Sequence, residues 1–154
     1  MADIGDLLAG ETALVAAFIA VLGEEQLALT HGDIEPLAGL AQRKATLADE
    51  LNALELARNT QLAAAGHATG RAGMESWLRT NRGGTLAGEY WQRLLKLAGE
   101  AKAMNVLNGK LITLRLNATS QALATLTRQA QQTGLYGPDG QTAQQTGSRI
   151  IDAA

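Results

Sequence analysis

Residues 37–62 read LAGLAQRKATLADELNALELARNTQL, and this stretch decides the fold. Apolar or basic side chains recur in it at steps of three and four residues, the spacing of one helix face in a heptad pattern. The stripe consists of Leu37, Leu40, Lys44, Leu47, Leu51, Leu54, Arg58 and Leu62. The pattern predicts a helix over residues 34–65, about 48 Å long at ~1.5 Å per residue, with two bases on an otherwise apolar seam.

The preceding segment, residues 3–31, carries an apolar face of the same kind. Its members are Ile4, Leu7, Leu8, Leu14, Val15, Phe18, Val21, Leu22 and Leu29. Glu11 and Glu25 fall on or beside this face, and a buried acid normally needs a partner. Antiparallel packing would bring Glu25 near Lys44 and Glu11 near Arg58. We therefore predict a helical hairpin with these two ion pairs.

Glycine, proline and capping residues indicate where the helices end. Gly32 suits the left-handed position that ends a helix. Asp33 is a good N-cap for the second helix, with Pro36 tolerated in its first turn. Three glycines between residues 66 and 73 predict a break, and a short helix over 74–81 follows.

The longest predicted helix covers residues 85–132, about 72 Å if straight. Its main stripe is Leu86, Tyr90, Leu94, Leu97, Ala101, Met104, Asn108, Leu111, Leu114, Ala118, Ala122 and Thr125, and a flanking stripe is Trp91, Leu95, Leu107, Ile112, Leu123 and Leu126. Gly99 and Gly109 cost about 1 kcal/mol each relative to alanine, so we expect a bend or a close helix contact at either. The helix is longer than the two helices predicted to pack against it and is apolar on more than one side, which indicates an interaction surface.

The composition predicts an all-α fold, an elongated antiparallel bundle or coiled-coil hairpin with a long C-terminal helix. Alanine and leucine number 29 and 25, whereas valine and isoleucine together number nine, too few for a sheet. With five aromatic residues, the core is expected to be leucine on alanine. We divide the chain into a helical domain, 1–133, and a flexible tail, 134–154, rich in Gln, Thr and Gly.

Charge and cysteine content exclude several classes of function. The chain has no cysteine, hence no disulfide, thiol nucleophile or thiolate metal site. Residues 1–42 carry a net charge of −7 and residues 43–154 one of +5, which favours an acidic first helix beside a basic last one. The bases are scattered singly without an aromatic platform, so no nucleic-acid partner is expected.

The N-terminal sequence favours a soluble protein. A secretory signal needs a basic start, and the first base of this chain is Arg43. The uncharged run 12–23 has 12 residues, short of the ~20 that a membrane span requires. We expect a cytoplasmic protein without a membrane span.

Catalytic and metal-binding patterns are weak. The two histidines lie 36 residues apart, and no Ser/His/Asp grouping is present. The one metal-like cluster, residues 31–35 (HGDIE), is needed as a helix stop and cap. We predict no enzyme, no metal and no cofactor.

Two asparagines and one tyrosine stand out near the end of the chain. Asn105 and Asn108 lie mid-helix, where asparagine has poor propensity. They either let another helix backbone approach or form part of a polar recognition notch. Tyr136 lies in the polar tail with no core to join, which indicates a partner contact.

Two segments carry a family resemblance, NVLNGKLI at 105–112 and YGPDGQ at 136–141. Together with Leu7-Leu8, Glu11, Glu25, Gly32-Asp33 and the heptad of Lys44, in that order and spacing, they make the chain resemble the FlgN family of flagellar type III export chaperones. The resemblance covers nearly the whole length.

The resemblance implies a cytoplasmic chaperone for the hook-associated proteins of the hook–filament junction. It would bind their C-terminal segments, prevent premature assembly and deliver them to the flagellar export gate. The family's C-terminal half is implicated in client binding, so the candidate contacts are Asn105, Leu107, Asn108, Leu111, Leu114, Leu123 and Leu126. Tyr136, with Gly137, Pro138 and Asp139, would dock on the cytoplasmic domain of the gate.

Two alternatives fit the same residues. The first is a helical scaffold that only self-associates and uses the long stripe in a homo-oligomer. The second is a small ligand-binding bundle, which is disfavoured because the predicted core offers no convergent polar pocket.

Overall fold

A computed structural model describes residues 2–81 and 85–132. In these residues the chain forms four α-helices and no strand: α1 (Ile4–His31), α2 (Leu37–Ala64), α3 (Gly70–Thr80) and α4 (Thr85–Gln132). The predicted all-α fold with a long last helix is thus confirmed. The chain divides into a first unit, residues 1–109, and a second unit, residues 110–154.

The helices α1 and α2 pack as an antiparallel hairpin, and both predicted ion pairs are present. Lys44 Nζ lies 3.2 Å from Glu25 Oε1, and Arg58 Nε lies 2.8 Å from Glu11 Oε2. Glu25, late in α1, meets the early part of α2, and Glu11, early in α1, meets the late part. This reversal of order confirms the predicted antiparallel register.

The connection between α1 and α2 agrees with the prediction at one end only. Gly32 ends α1 with a φ of 72°, and its N–H donates to the Ala28 carbonyl, as expected for a left-handed cap. The prediction that Asp33 caps α2 is wrong. This helix begins at Leu37, directly after Pro36, because a proline disfavours the helical conformation of the residue before it. The Asp33 carboxylate instead accepts from the Glu35 N–H at 3.4 Å.

The helix α3 begins at Gly70, four residues before the predicted start at residue 74. Gly70 has a φ of 75°, and its N–H donates to Asn59 Oδ1 of α2 at 3.0 Å. An added Cβ at Gly73 would lie 1.6 Å from the Ala68 carbonyl oxygen. The glycines that suggested a break therefore form a tight entry into the helix, which larger residues would obstruct.

One hydrophobic core runs through the first unit. Leu8 and Leu22 of α1, Leu62 of α2 and Met74 of α3 are completely buried, and Trp91 of α4 joins them. The partly buried aromatic residues packed against this core are Phe18, Trp77 and Tyr90. The expectation of leucine on alanine is only partly right, because every aromatic residue within 2–81 and 85–132 lies in or against the core.

By length and composition alone, α1 is able to cross a membrane, since an 18-residue window of it has a mean hydropathy of 1.8. The short uncharged run 12–23 was therefore not a sufficient argument against a span. Core helices of soluble proteins and signal sequences share this property. In the structure, Glu11 and Glu25 lie on the buried side of α1, where α2 supplies their partners.

Candidate partner-binding site

Within residues 85–109, α4 presents one face to the core of the first unit. Its buried residues are Ala87, Trp91, Leu94, Ala101 and Asn108. They recur at steps of three, four and seven residues, so they share one side of the helix. This part of α4 is an amphipathic helix whose buried side is apolar except for Asn108.

Asn108 belongs to a polar cluster that joins three helices. Its Nδ2 donates to the Leu22 carbonyl at 2.9 Å and to Glu25 Oε1 at 3.0 Å, both in α1. Lys44 of α2 donates to the same Glu25 carboxylate at 3.2 Å and to Asn105 Oδ1 at 2.9 Å. The two asparagines thus bind α4 to the hairpin through the ion pair between Glu25 and Lys44.

The cluster decides between the two interpretations of the asparagines. Asn108 is 1% exposed, so its side chain does not lie on a partner-binding surface, and its place among the predicted client contacts is corrected. Asn105 is exposed but is engaged by Lys44. The predicted close helix contact at Gly99 or Gly109 is not found within 2–81 and 85–132, since a Cβ at either position would meet no atom there within 4 Å outside its own stretch of helix.

A second polar site lies deeper in the first unit. Arg58 donates to both carboxylate oxygens of Glu11, at 2.8 and 3.2 Å. Its guanidinium also lies 5.3 Å from the centre of the Trp91 ring. Burial raises the pKa of Glu11 above its ordinary value of 4.5, and the hydrogen bond and charge of Arg58 oppose that rise. This arrangement is structural, because all three side chains are closed off from solvent.

The later part of α4 is exposed on every side in the described part of the chain. All residues from 112 to 123 are exposed, and these 12 residues span more than three turns. We call its large side chains the α4 apolar surface: Leu107 (44% exposed), Ile112 (40%), Leu114 (64%), Leu116 (64%), Leu123 (42%) and Leu126 (62%), with the half-buried Leu111.

Most predicted client contacts therefore belong to this surface. Leu107, Leu114, Leu123 and Leu126 are exposed, and Leu111 is half-buried. Leu116 was not among the predicted contacts. It could have been found, because positions 112, 116, 119, 123, 126 and 130 follow alternating steps of four and three, a heptad in which only Thr119 is polar.

The charged residues of α4 from position 101 onward are all basic. Residues 101–132 contain Lys102, Lys110, Arg115 and Arg128 but no acidic residue. An acidic partner would be attracted to this segment, and a basic one repelled.

The other predicted site lies outside the described residues. Tyr136, Gly137, Pro138 and Asp139 all fall in 133–154, so gate docking stays a prediction. Within 2–81 and 85–132, no group of three or more His, Asp or Glu side chains could hold a metal ion.

An α-helical bundle with an uncovered apolar helix face is typical of proteins that bind other proteins. The chain matches the model of the family described as FlgN protein over residues 1–144. It therefore belongs to the FlgN family.

Two curated relatives agree with this assignment. The chain is 47% identical over 53 residues to the flagella synthesis protein FlgN of Yersinia enterocolitica, an alignment that covers 34% of this chain and 35% of that protein. The protein of the same name from a serotype O:8, biotype 1B strain matches to the same extent. The chain thus spans about a third of the length of these relatives. No solved structure is significantly similar to it.

Proposed function

We propose that this protein is a cytoplasmic, non-enzymatic export chaperone of the flagellum. It binds the C-terminal segments of hook-associated proteins of the hook–filament junction, prevents their premature assembly and delivers them to the export gate. Membership of the FlgN family supports the flagellar role. The observation that carries the binding role is the α4 apolar surface, on which Leu114 and Leu116 are each 64% exposed.

The binding mode follows from the shape of that surface. Amphipathic segments of the client lie in helical form along α4 and bury their apolar faces, which hides them from other clients. Each leucine that becomes buried contributes about 1.5–3 kcal/mol to the favourable free energy of binding. Ordering of the client segment costs part of this gain, which keeps the complex weak enough for release at the gate.

Delivery is assigned to the tail. Tyr136, with Gly137, Pro138 and Asp139, docks on the cytoplasmic domain of the export gate. Removal of residues 134–154 should abolish gate docking and leave client binding largely unchanged. Loss of client binding from a truncated chain whose helices remain folded would contradict this division of labour.

The binding role is tested by co-expression with the hook-associated proteins of the same cell, followed by co-purification. The unaltered chain should yield a heterocomplex, and the double variant Leu123→Ser/Leu126→Ser should not. Asn117→Ser, an exposed polar position on the same helix, is the matched control, and circular dichroism checks that all variants are helical. A double variant that retains the client as well as the control does would overturn the proposal.

A self-associating scaffold is the second candidate, because the same apolar surface could be covered by another copy of the chain. Sedimentation of the purified protein alone and with a hook-associated protein separates the two functions. A chaperone forms a heterocomplex, whereas a scaffold forms the same homo-oligomer in both samples.

A further inference from the structure

Two ridges run along the α4 apolar surface within residues 110–132. The first ridge comprises Ile112, Leu116, Leu123 and Leu126 with the smaller Ala130, and the second comprises Leu111 and Leu114 with the smaller Ala118. At about 100° per residue, the centres of the two ridges lie about 130° apart around the helix axis. Both are uncovered in the described part of the chain, because Leu116 on the first and Leu114 on the second are each 64% exposed.

The two ridges together are wider than one helix covers. From Leu114 to Leu116 the two ridges and the strip between them, which holds Arg115, span about 200°, whereas a helix packed on one neighbour presents a stripe of about 100°. One client helix on the first ridge would leave Leu114 in water, and one on the second ridge would leave Leu116 in water. An occupant that covers the whole surface therefore needs two helices.

Over residues 85–109, two helices of the chain itself already cover α4. Trp91 lies against Arg58 of α2, and Asn108 donates to Leu22 of α1, so two antiparallel helices cover this segment together.

Charge indicates which kind of occupant supplies the two helices. With four bases and no acid over residues 101–132, two copies of this segment lying side by side would repel each other. A partner with acidic or uncharged residues beside its apolar positions would be attracted or accepted.

We infer that the α4 apolar surface binds a pair of client helices of acidic or neutral character, one on each ridge. The α4 helix is then the third helix of the complex, in the role that it already has between α1 and α2. This inference rests on the proposed chaperone function and adds what the client must contribute: two amphipathic helices rather than one.

Matched variants of the two ridges test the inference. Leu114→Ser and Leu116→Ser remove equally exposed leucines from the second and the first ridge, and Asn117→Ser is the control. The dissociation constant for a purified hook-associated protein is measured by calorimetry. Each leucine variant should weaken binding about tenfold or more, and the control by less than about twofold. An unchanged affinity for either leucine variant would overturn the two-helix mode while leaving the chaperone function intact.

Photocrosslinking supplies the independent readout. A photoreactive amino acid at position 114 or at position 116 should label two different helices of the same client. Labelling of one client helix from both positions, or labelling of a second copy of this chain, would overturn the inference. If no hook-associated protein binds the unaltered chain, the proposed function itself has failed, and that outcome is visible before any variant is compared.

Discussion

Residues 85–109 and 110–132 belong to one continuous helix and have similar apolar spacing, yet only the first segment is covered. Leu94 in the first segment is 8% exposed, and Leu116 in the second is 64% exposed. The same pattern of leucines therefore led to two outcomes. A periodic apolar stripe shows which face of a helix needs cover, but it does not show whether the chain itself supplies that cover.

Two kinds of polar contact occur in the two segments. In the first segment, Asn108 donates hydrogen bonds to Leu22 and Glu25, which are distant in the sequence by 86 and 83 positions. In the second, Thr125 and Thr127 donate to carbonyls only four residues back, at 2.9 and 2.8 Å. The first segment is thus held by contacts that exist only in the folded bundle, while these threonine contacts accompany helix formation anywhere.

The largest effect is expected from breaking the buried ion pair beside the first segment. Arg58→Ala leaves the Glu11 carboxylate buried without its partner, which should lower the free energy of unfolding by about 3–5 kcal/mol at neutral pH. Urea unfolding followed by circular dichroism measures it. Arg43→Ala removes the exposed pair with Glu24 and should cost less than about 1 kcal/mol. Equal costs for the two variants would show that burial does not set the strength of these pairs.

The loss of unfolding free energy in Arg58→Ala, called the deficit below, should depend on pH. Burial raises the pKa of Glu11 above 4.5, and Arg58 opposes the rise, so the variant should have a higher pKa at Glu11 than the unaltered chain. A raised pKa in the folded state adds stability below 4.5 that is lost as the pH rises through that pKa. The deficit should therefore be smaller at pH 4–5 than at pH 7. A deficit that grows on acidification would contradict the assigned cause.

A loss of stability of intermediate size is expected at the polar cluster. Asn108→Ala removes two hydrogen bonds and leaves the Leu22 carbonyl short of a partner, at a cost of about 1–3 kcal/mol. Leu114→Ser in the second segment should change stability by less than about 0.5 kcal/mol. Chemical unfolding of both variants measures the contrast. If Leu114→Ser is as destabilising as Asn108→Ala, the second segment is covered within the chain.

The smallest effect, and one of opposite sign, is expected where the two segments meet. Gly109→Ala places a methyl group inside a helix, at a position where no described residue outside the same stretch of helix has an atom within 4 Å. It should stabilise the protein by about 0.5–1 kcal/mol, through the helix propensity of alanine. Thermal unfolding measures the gain, and Gly99→Ala should behave alike. Destabilisation by either change would reveal a close backbone contact at that glycine.

The hairpin of α1 and α2 was predictable from the sequence because the residues that indicate it recur at regular spacing. Glu11 and Glu25 matched Arg58 and Lys44 in spacing, so the register followed from lengths along two helices. Sequence reasoning was wrong about the start of α3 because the turn at Gly70 depends on a hydrogen bond that the Gly70 N–H donates to Asn59 Oδ1 in another helix. It left Asn108 undecided for the same reason, since an asparagine on a helix face fits a buried cluster and a binding notch equally well.

The sequence by itself determined the helices, their apolar faces and the pairing of α1 with α2, because each follows from spacing along the chain. Only the tertiary structure decided that Asn108 is buried and that Leu116 is exposed, because burial depends on neighbours that the chain brings together from distant positions. The reason is that helix periodicity is local, whereas the cover of a helix face is a long-range property. The proposed binding site shows this difference: the apolar pattern of α4 continues over residues 110–132, but Leu114 and Leu116 there are each 64% exposed.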